Sequence, residues 1–129
     1  MSKTVFIIDD DPILRLIVKR MMDKFDSSLI FIHCENGKIG LEKLNSHLQI
    51  SSESILILLD LNMPVLDGWG FLDEIESNQQ IDYNKIRLYI LSSSTDKADI
   101  EKIAQYPWIR KFYHKPLSSS DIIEILNSI

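Results

Sequence analysis

Two spacings of hydrophobic residues alternate along the chain. Short apolar runs, each ended by polar or turn-forming residues, predict five strands. They cover residues 4–8, 28–33, 55–60, 86–91 and 109–114. Between them, apolar residues recur every three or four positions and predict helices over about 12–25, 36–47, 65–77 and 97–105, with a last one from Ser120 or Asp121. Alternation of this kind predicts an α/β fold of the (βα)5 type, a doubly wound five-stranded parallel sheet with helices on both faces.

The helices carry apolar sets that we expect to face the sheet. They are Leu14, Ile17, Val18, Met21 and Phe25 in the first helix, Leu66, Trp69, Phe71, Leu72 and Ile75 in the third, and Ile122, Ile123, Leu126 and Ile129 in the last. Asp11 precedes Pro12 at the start of the first helix, which predicts an N-cap there. Asn36 is the predicted cap of the second helix.

Length and composition limit the class of protein. The 129 residues are 45% hydrophobic and 26% charged, which predicts one domain over 1–129 with no output domain attached. The net charge of −5 argues against a nucleic-acid partner. No apolar stretch approaches the roughly 20 residues that a membrane-spanning helix needs. The single cysteine, Cys34, fits a reducing compartment, so the expected location is cytoplasmic.

Polar residues collect where the predicted strands end. They are Asp9 and Asp10 after the first strand, Asp60 after the third, Ser92 after the fourth and Lys115 after the fifth. The carboxyl ends of parallel strands share one edge of a sheet, where such folds place their functional crevice. Each acid alone could be a helix cap, and for Asp11 we prefer that interpretation. The joint occurrence at four strand ends favours a functional site.

Neighbouring carboxylates repel one another, so a cluster of three favours a bound cation. Oxygen ligands without a Cys/His set suit Mg²⁺ better than zinc. Lys115 and Ser92 can supply a positive charge and a hydrogen-bond donor for phosphoryl oxygens. Because an aspartate carboxylate can be a nucleophile, these residues predict Mg²⁺-dependent phosphoryl transfer to one of the aspartates.

The same residues resemble a known family. Asp9-Asp10, then Asp60 with Asn62-Met63-Pro64 and Asp67-Gly68, then Ser92 and Lys115-Pro116, resemble the receiver domain of two-component response regulators, in its stand-alone, single-domain form. The resemblance runs from about Lys3 to the C-terminus. It implies the flavodoxin-like strand order 2-1-3-4-5.

The resemblance also implies a role for each site residue. Asp60 would accept a phosphoryl group from a sensor histidine kinase or a histidine phosphotransfer protein. Asp10 and Asp60 would bind Mg²⁺ through their side chains, Asn62 through its backbone carbonyl, and Asp9 through water. Lys115 would pair with the phosphoryl oxygens. Ser92 and Phe112 would be the switch residues, and Pro116 follows a peptide bond that the family often has in the cis form.

Two surfaces are candidate partner sites. Ile13 and Leu16 lie off the apolar stripe of the first helix, where the family meets its kinase or phosphotransfer partner, although scattered surface hydrophobes would look the same. Tyr106, Trp108 and Tyr113 are candidates for binding a downstream protein on the face formed by helix 4, strand 5 and helix 5. Trp108 could equally pack against the last helix.

Two other functions remain open from the residues alone. A Mg²⁺-dependent phosphohydrolase could use Asp60 as a turnover nucleophile, but enzymes resembling the haloacid dehalogenase group want an aspartate at the position of Asn62. A phosphorylation-independent interaction module is the other alternative. We do not expect the chain to be an enzyme, except that it would catalyse its own phosphorylation and slow dephosphorylation.

Overall fold

The computed structural model describes residues 3–51, 53–79, 81–94 and 96–127. The strands are β1 (Lys3–Ile8), β2 (Leu29–Cys34), β3 (Ile55–Asp60), β4 (Ile86–Ser92) and β5 (Ile109–His114). The helices are α1 (Pro12–Asp23), α2 (Gly37–Ile50), α3 (Gly68–Ser77), α4 (Lys97–Ile103) and α5 (Ser119–Asn127). All strand pairs are parallel, in the order β2-β1-β3-β4-β5, which confirms the predicted fold class.

The core has two layers because the central strands are covered on both faces. Every residue of β3 is buried. In β1, Phe6 and Ile8 face the cluster formed with α2 and α3, whereas Val5 and Ile7 face the cluster formed with α1 and α5. Near-continuous apolar runs are typical of parallel strands buried in this way. The fully buried β3 ends at Asp60, and its packing on both faces fixes the position of that residue.

Both predicted helix caps are confirmed. The Asp11 side chain accepts hydrogen bonds from the backbone N–H groups of Ile13 and Leu14 at the start of α1. The Asn36 side chain accepts from the Ile39 N–H at the start of α2. Helix α2 continues to Ile50, beyond the predicted end near His47.

The third helix does not begin at Val65, as the sequence predicted, but at Gly68. Val65 and Leu66 have φ angles of 51° and 72°, in the left-handed region that L-residues rarely adopt, so Leu66 is not part of the helical apolar set. The loop is held by a hydrogen bond from the Gly37 N–H to the Leu66 carbonyl, 3.0 Å long. A Cβ on Gly37 would lie 2.4 Å from that carbonyl oxygen, so the close approach requires glycine.

The apolar sets of the first and last helices also differ from prediction. Helix α1 ends at Asp23, before Phe25, and its buried residues are Val18 and Met22. Ile17 and Phe25 are 51% and 50% exposed, so neither belongs to the core. In α5, Ile123 is exposed, and Ile129 lies outside the described residues.

The fold also bears on the predicted absence of a membrane-spanning helix and on the chemistry of the single cysteine. Within the described part of the chain, no helix has the length and apolar character needed to cross a bilayer. Cys34 is buried, and burial raises the pKa of its thiol to about 11. A thiol in that state is not a reactive nucleophile at neutral pH.

Candidate functional site

The ends of β1 and β3 bring three carboxyl groups together. One oxygen from each of Asp9, Asp10 and Asp60 lies within 4.8 Å of the others. Asp9 and Asp60 are 1% and 5% exposed, whereas Asp10 is open to solvent. The strand order places β1 beside β3, and this adjacency creates the predicted cluster.

Lys115 lies directly after β5 and reaches across the crevice to two of these acids. Its Nζ atom is 2.7 Å from Asp9 Oδ2 and 3.4 Å from Asp60 Oδ1. The Lys115 backbone N–H donates to the Ser92 carbonyl at 3.0 Å, which fixes the start of the loop beside β4. The peptide bond between Lys115 and Pro116 is cis.

Asp9 is fixed by hydrogen bonds to its side chain and to its backbone carbonyl, which the sequence did not predict. Its Oδ1 accepts a hydrogen bond from the Asp11 N–H at 2.9 Å, while Oδ2 accepts from Lys115. The Arg15 guanidinium donates to the Asp9 backbone carbonyl. Arg15 was missed by the sequence analysis, and its position just after the acid cluster is the only signal that could have suggested it.

The protonation of the cluster follows from burial and charge. Burial, followed by the negative charge of Asp9, raises the pKa of Asp60 to about 6, even though Lys115 and the Asn62 N–H lower it. For Lys115, burial alone would lower the pKa, but the hydrogen bond and charge of Asp9, with those of Asp60, outweigh it and raise the pKa. Lys115 is therefore a permanent cation beside a carboxylate that is costly to ionise.

The donor set fits a hard divalent cation. It offers only carboxylate oxygens, and because burial and the charge of Asp9 raise the pKa of Asp60, a cation beside Asp60 would favour its ionised form. Asn62 is exposed, and its N–H donates to Asp60 Oδ1 at 3.3 Å. The use of its carbonyl as a ligand stays a prediction.

The predicted switch residues lie on neighbouring strands, Ser92 at the end of β4 and Phe112 within β5. Ser92 is the last residue of β4 and is fully buried, and its Oγ accepts a hydrogen bond from the Ser94 N–H at 3.0 Å. In the sheet, Asp60 is paired with Leu91, so Ser92 follows directly beyond it. Phe112 is half-buried and packs edge-to-face on His114, with ring centroids 4.8 Å apart.

The structure bears differently on the two candidate partner surfaces. Ile13 and Leu16 are 68% and 44% exposed on α1, as expected. Tyr106 and Tyr113 are buried, so the prediction that they form an exposed surface with Trp108 is wrong. Their rings also belong to core clusters on opposite faces of the sheet.

The hydroxyl partners explain why these rings are buried. Tyr106 donates to Asp73 at 2.6 Å and Tyr113 donates to Glu124 at 2.8 Å, so each phenol is satisfied inside the domain. Trp108 stacks on Tyr83 with centroids 5.1 Å apart, and its indole N–H donates to Glu76 in α3. Among the described residues, Trp108 thus packs against the cluster on the α3 side of the sheet, opposite the face that α5 covers.

Comparisons with known proteins agree with this geometry. Residues 5–127 match the response regulator receiver domain family. The chemotaxis protein CheY of Bacillus subtilis is 26% identical, covering 98% of this chain and 97% of that protein. The nitrate/nitrite response regulator protein NarL of Escherichia coli is 32% identical over 97 residues, which are 75% of this chain. The match spans only 41% of NarL.

A solved structure gives the same result. A two-component response regulator from Cytophaga hutchinsonii superposes with a TM-score of 0.87 and 26% identity, covering 98% of this chain and 95% of that one. The sequence match, the fold and the acid cluster at the carboxyl edge of the sheet are all those of one family. The chain belongs to the response regulator receiver domains of two-component signalling, with a CheY-like fold.

Proposed function

We propose that Asp60 accepts a phosphoryl group from a histidine kinase or a histidine phosphotransfer protein. The observation that carries the proposal is the placement of the Asp60 carboxylate among two further acids and one lysine, at the end of a fully buried strand. In the transfer, the P–N bond of the donor phosphohistidine breaks while a bond forms between phosphorus and an Asp60 oxygen. The imidazole leaves with the electron pair and takes up a proton.

Lys115 would have one role before phosphorylation and another after it. In the unphosphorylated protein, it compensates the charge of Asp9 and, at a longer distance, that of Asp60. Once Asp60 carries a phosphoryl group, the same ammonium can pair with a phosphoryl oxygen, because the longer contact leaves it within reach. The redistribution of Lys115 contacts is then part of the signal.

Asp10 and Asp60 would hold Mg²⁺ through their side chains, Asn62 through its carbonyl and Asp9 through water. When bound, the cation neutralises charge on the transferring phosphoryl oxygens. Asp9 suits an indirect role, because both of its carboxylate oxygens already accept hydrogen bonds from Lys115 and the Asp11 N–H. Asp10, being exposed, is free to face an incoming partner and its phosphate.

The signal would leave the site through Ser92 and Phe112. A phosphoryl group on Asp60 offers acceptor oxygens to the Ser92 hydroxyl, and movement of Ser92 makes room for the half-buried Phe112 ring. The face made by α4, β5 and α5 would then change its affinity for a downstream protein. Ile13 and Leu16, exposed on α1 beside the acids, would be anchors for the phosphodonor in the cytoplasm.

A small-molecule phosphodonor tests this proposal without a cognate kinase. We expect wild-type protein to incorporate phosphate from acetyl phosphate only with Mg²⁺, and Asp60→Asn to incorporate none. Asp67→Asn is the matched control, because Asp67 is a nearby acid that caps α3. Equal labelling of Asp60→Asn and wild type would refute the assignment. Steady turnover of a generic phosphate ester would favour the phosphohydrolase instead.

A further inference from the structure

Helix α4 is held by few apolar contacts. No residue of α4 is buried, and its main hydrophobic contact is the partly buried Ile103. Its other links are polar: Lys102 Nζ lies 4.5 Å from the centroid of the Trp69 ring, and Asp99 accepts a hydrogen bond at the start of the helix. Segments with little buried apolar surface open at low free energy, so single polar links decide where this helix sits.

The hydrogen bond at the start of α4 comes from Ser94. Its hydroxyl donates to Asp99 Oδ2 at 2.9 Å and accepts from the Asp96 N–H at 3.2 Å. Asp96 is the N-cap of α4, and its side chain accepts from the Ala98 N–H. One hydroxyl therefore joins the preceding loop to two points in the first turn of the helix.

The same serine is tied to the acid site. The Ser94 N–H donates to the Ser92 hydroxyl oxygen at 3.0 Å, and Ser92 is fully buried beside the acid cluster. A continuous series of hydrogen bonds thus runs from Ser92 through Ser94 to Asp99. Ser93, between the two serines, is exposed, and none of the bonds in this series involves its side chain.

We propose that Ser94 is a positioning residue that couples the Ser92 hydroxyl to the first turn of α4. The inference rests on the proposed role of Ser92 at a modified Asp60. When the Ser92 hydroxyl turns toward an acceptor oxygen on Asp60, the Ser94 N–H loses its partner and the loop must rearrange to satisfy it. The Ser94 hydroxyl then leaves Asp99, and the first turn of α4 is released.

Amide hydrogen exchange measured by NMR at Ile100–Ala104 tests the coupling in the intact chain. Mg²⁺ with beryllium fluoride serves as a phosphoryl probe, so that phosphorylation rates do not enter the comparison. In wild type, the adduct should raise exchange about fivefold, as expected for loss of one net hydrogen bond. In Ser94→Ala, exchange should already be raised about fivefold without the probe, and the probe should add less than about twofold.

Two variants separate this role from a general loss of structure. Ser94→Thr keeps the hydroxyl and should restore the wild-type response, whereas Ser93→Ala should leave both states unchanged. Wild-type exchange in probe-free Ser94→Ala, or a full response to the probe in that variant, would overturn the proposal. Fluorine NMR reports the bound adduct separately. Absence of the beryllium fluoride adduct in wild type would refute the proposed function. The comparison of wild type with Ser94→Ala, both without the probe, would still decide the link between Ser94 and α4.

Discussion

Replacement of Asp60 by asparagine should stabilise the metal-free protein. Burial and the charge of Asp9 raise the pKa of Asp60 from 3.8 to about 6, with Lys115 offsetting only part of the effect. A difference of about two pKa units corresponds to about 3 kcal/mol between the charged and neutral forms. Asparagine has nearly the same shape without the charge, so we expect the free energy of unfolding to rise by about 2–3 kcal/mol at pH 8.

The effect has a definite dependence on pH. Between about pH 4 and pH 6, the folded wild type binds a proton at Asp60 that the unfolded chain has lost. The unfolding free energy of wild type therefore falls as the pH rises through this window, and the contribution is absent from Asp60→Asn. The difference between the two proteins should be small near pH 4 and reach its full size above pH 6.

Urea unfolding in EDTA, followed by the fluorescence of Trp69 and Trp108, measures this difference at a series of pH values. Asp23→Asn is a suitable control, because Asp23 forms a half-exposed pair with Lys19 at 3.3 Å and should change stability by less than about 0.5 kcal/mol. Equal stability of Asp60→Asn and wild type at pH 8 would refute the reasoning. A gain of the same size at pH 4 and pH 8 would also refute it.

Three further predictions concern the surroundings of the site. Lys115→Ala leaves Asp9 buried without its cation and should lower the free energy of unfolding in EDTA by about 3 kcal/mol; unchanged urea midpoints would contradict this. Gly37→Ala places a Cβ 2.4 Å from the Leu66 carbonyl oxygen and should lower the free energy of unfolding by about 2–3 kcal/mol, measured in a thermal or urea melt. Wild-type stability of this variant would contradict the prediction. Cys34 is buried and burial raises its pKa to about 11, so its reaction with a thiol reagent at pH 8 should require denaturant. Fast labelling of Cys34 in the native protein would contradict its burial.

The sequence was most informative where one physical effect dominates. The run that ends at Asp60 predicted β3 with its observed bounds, because a strand buried on both faces needs continuous apolar residues. Asp11 and Asn36 were predicted as caps because their side chains can satisfy the free N–H groups of a first helical turn. The acid cluster followed from strand ends meeting at one edge of the sheet.

Prediction failed where tertiary contacts override local pattern. Val65 and Leu66 fit a helical spacing, but the contact between Gly37 and the Leu66 carbonyl holds them in a left-handed loop. Tyr106 and Tyr113 were predicted to belong to a partner-binding face, yet Asp73 and Glu124 accept their hydrogen bonds and permit burial. These partners are distant in sequence, so no local signal reveals them.

Within the site, the sequence predicted the residues but not how they pair in the unphosphorylated protein. Lys115 was assigned to phosphoryl oxygens, whereas the structure shows it closest to Asp9. This arrangement gives Asp9 a structural task, since its other oxygen accepts the Asp11 N–H and fixes the start of α1. Contacts of this kind depend on the relative heights of the strand ends, which spacing along the chain does not determine.

Locating the phosphoryl group on the chain distinguishes Asp60 from the other acids and from the histidines. Protein treated with acetyl phosphate and Mg²⁺ would be analysed by intact mass and then by mass spectrometry of its peptides. We expect one phosphoryl group per chain, on Asp60, and no modification when Mg²⁺ is replaced by EDTA. A phosphoryl group on Asp9, Asp10 or a histidine, with Asp60 unmodified, would contradict it.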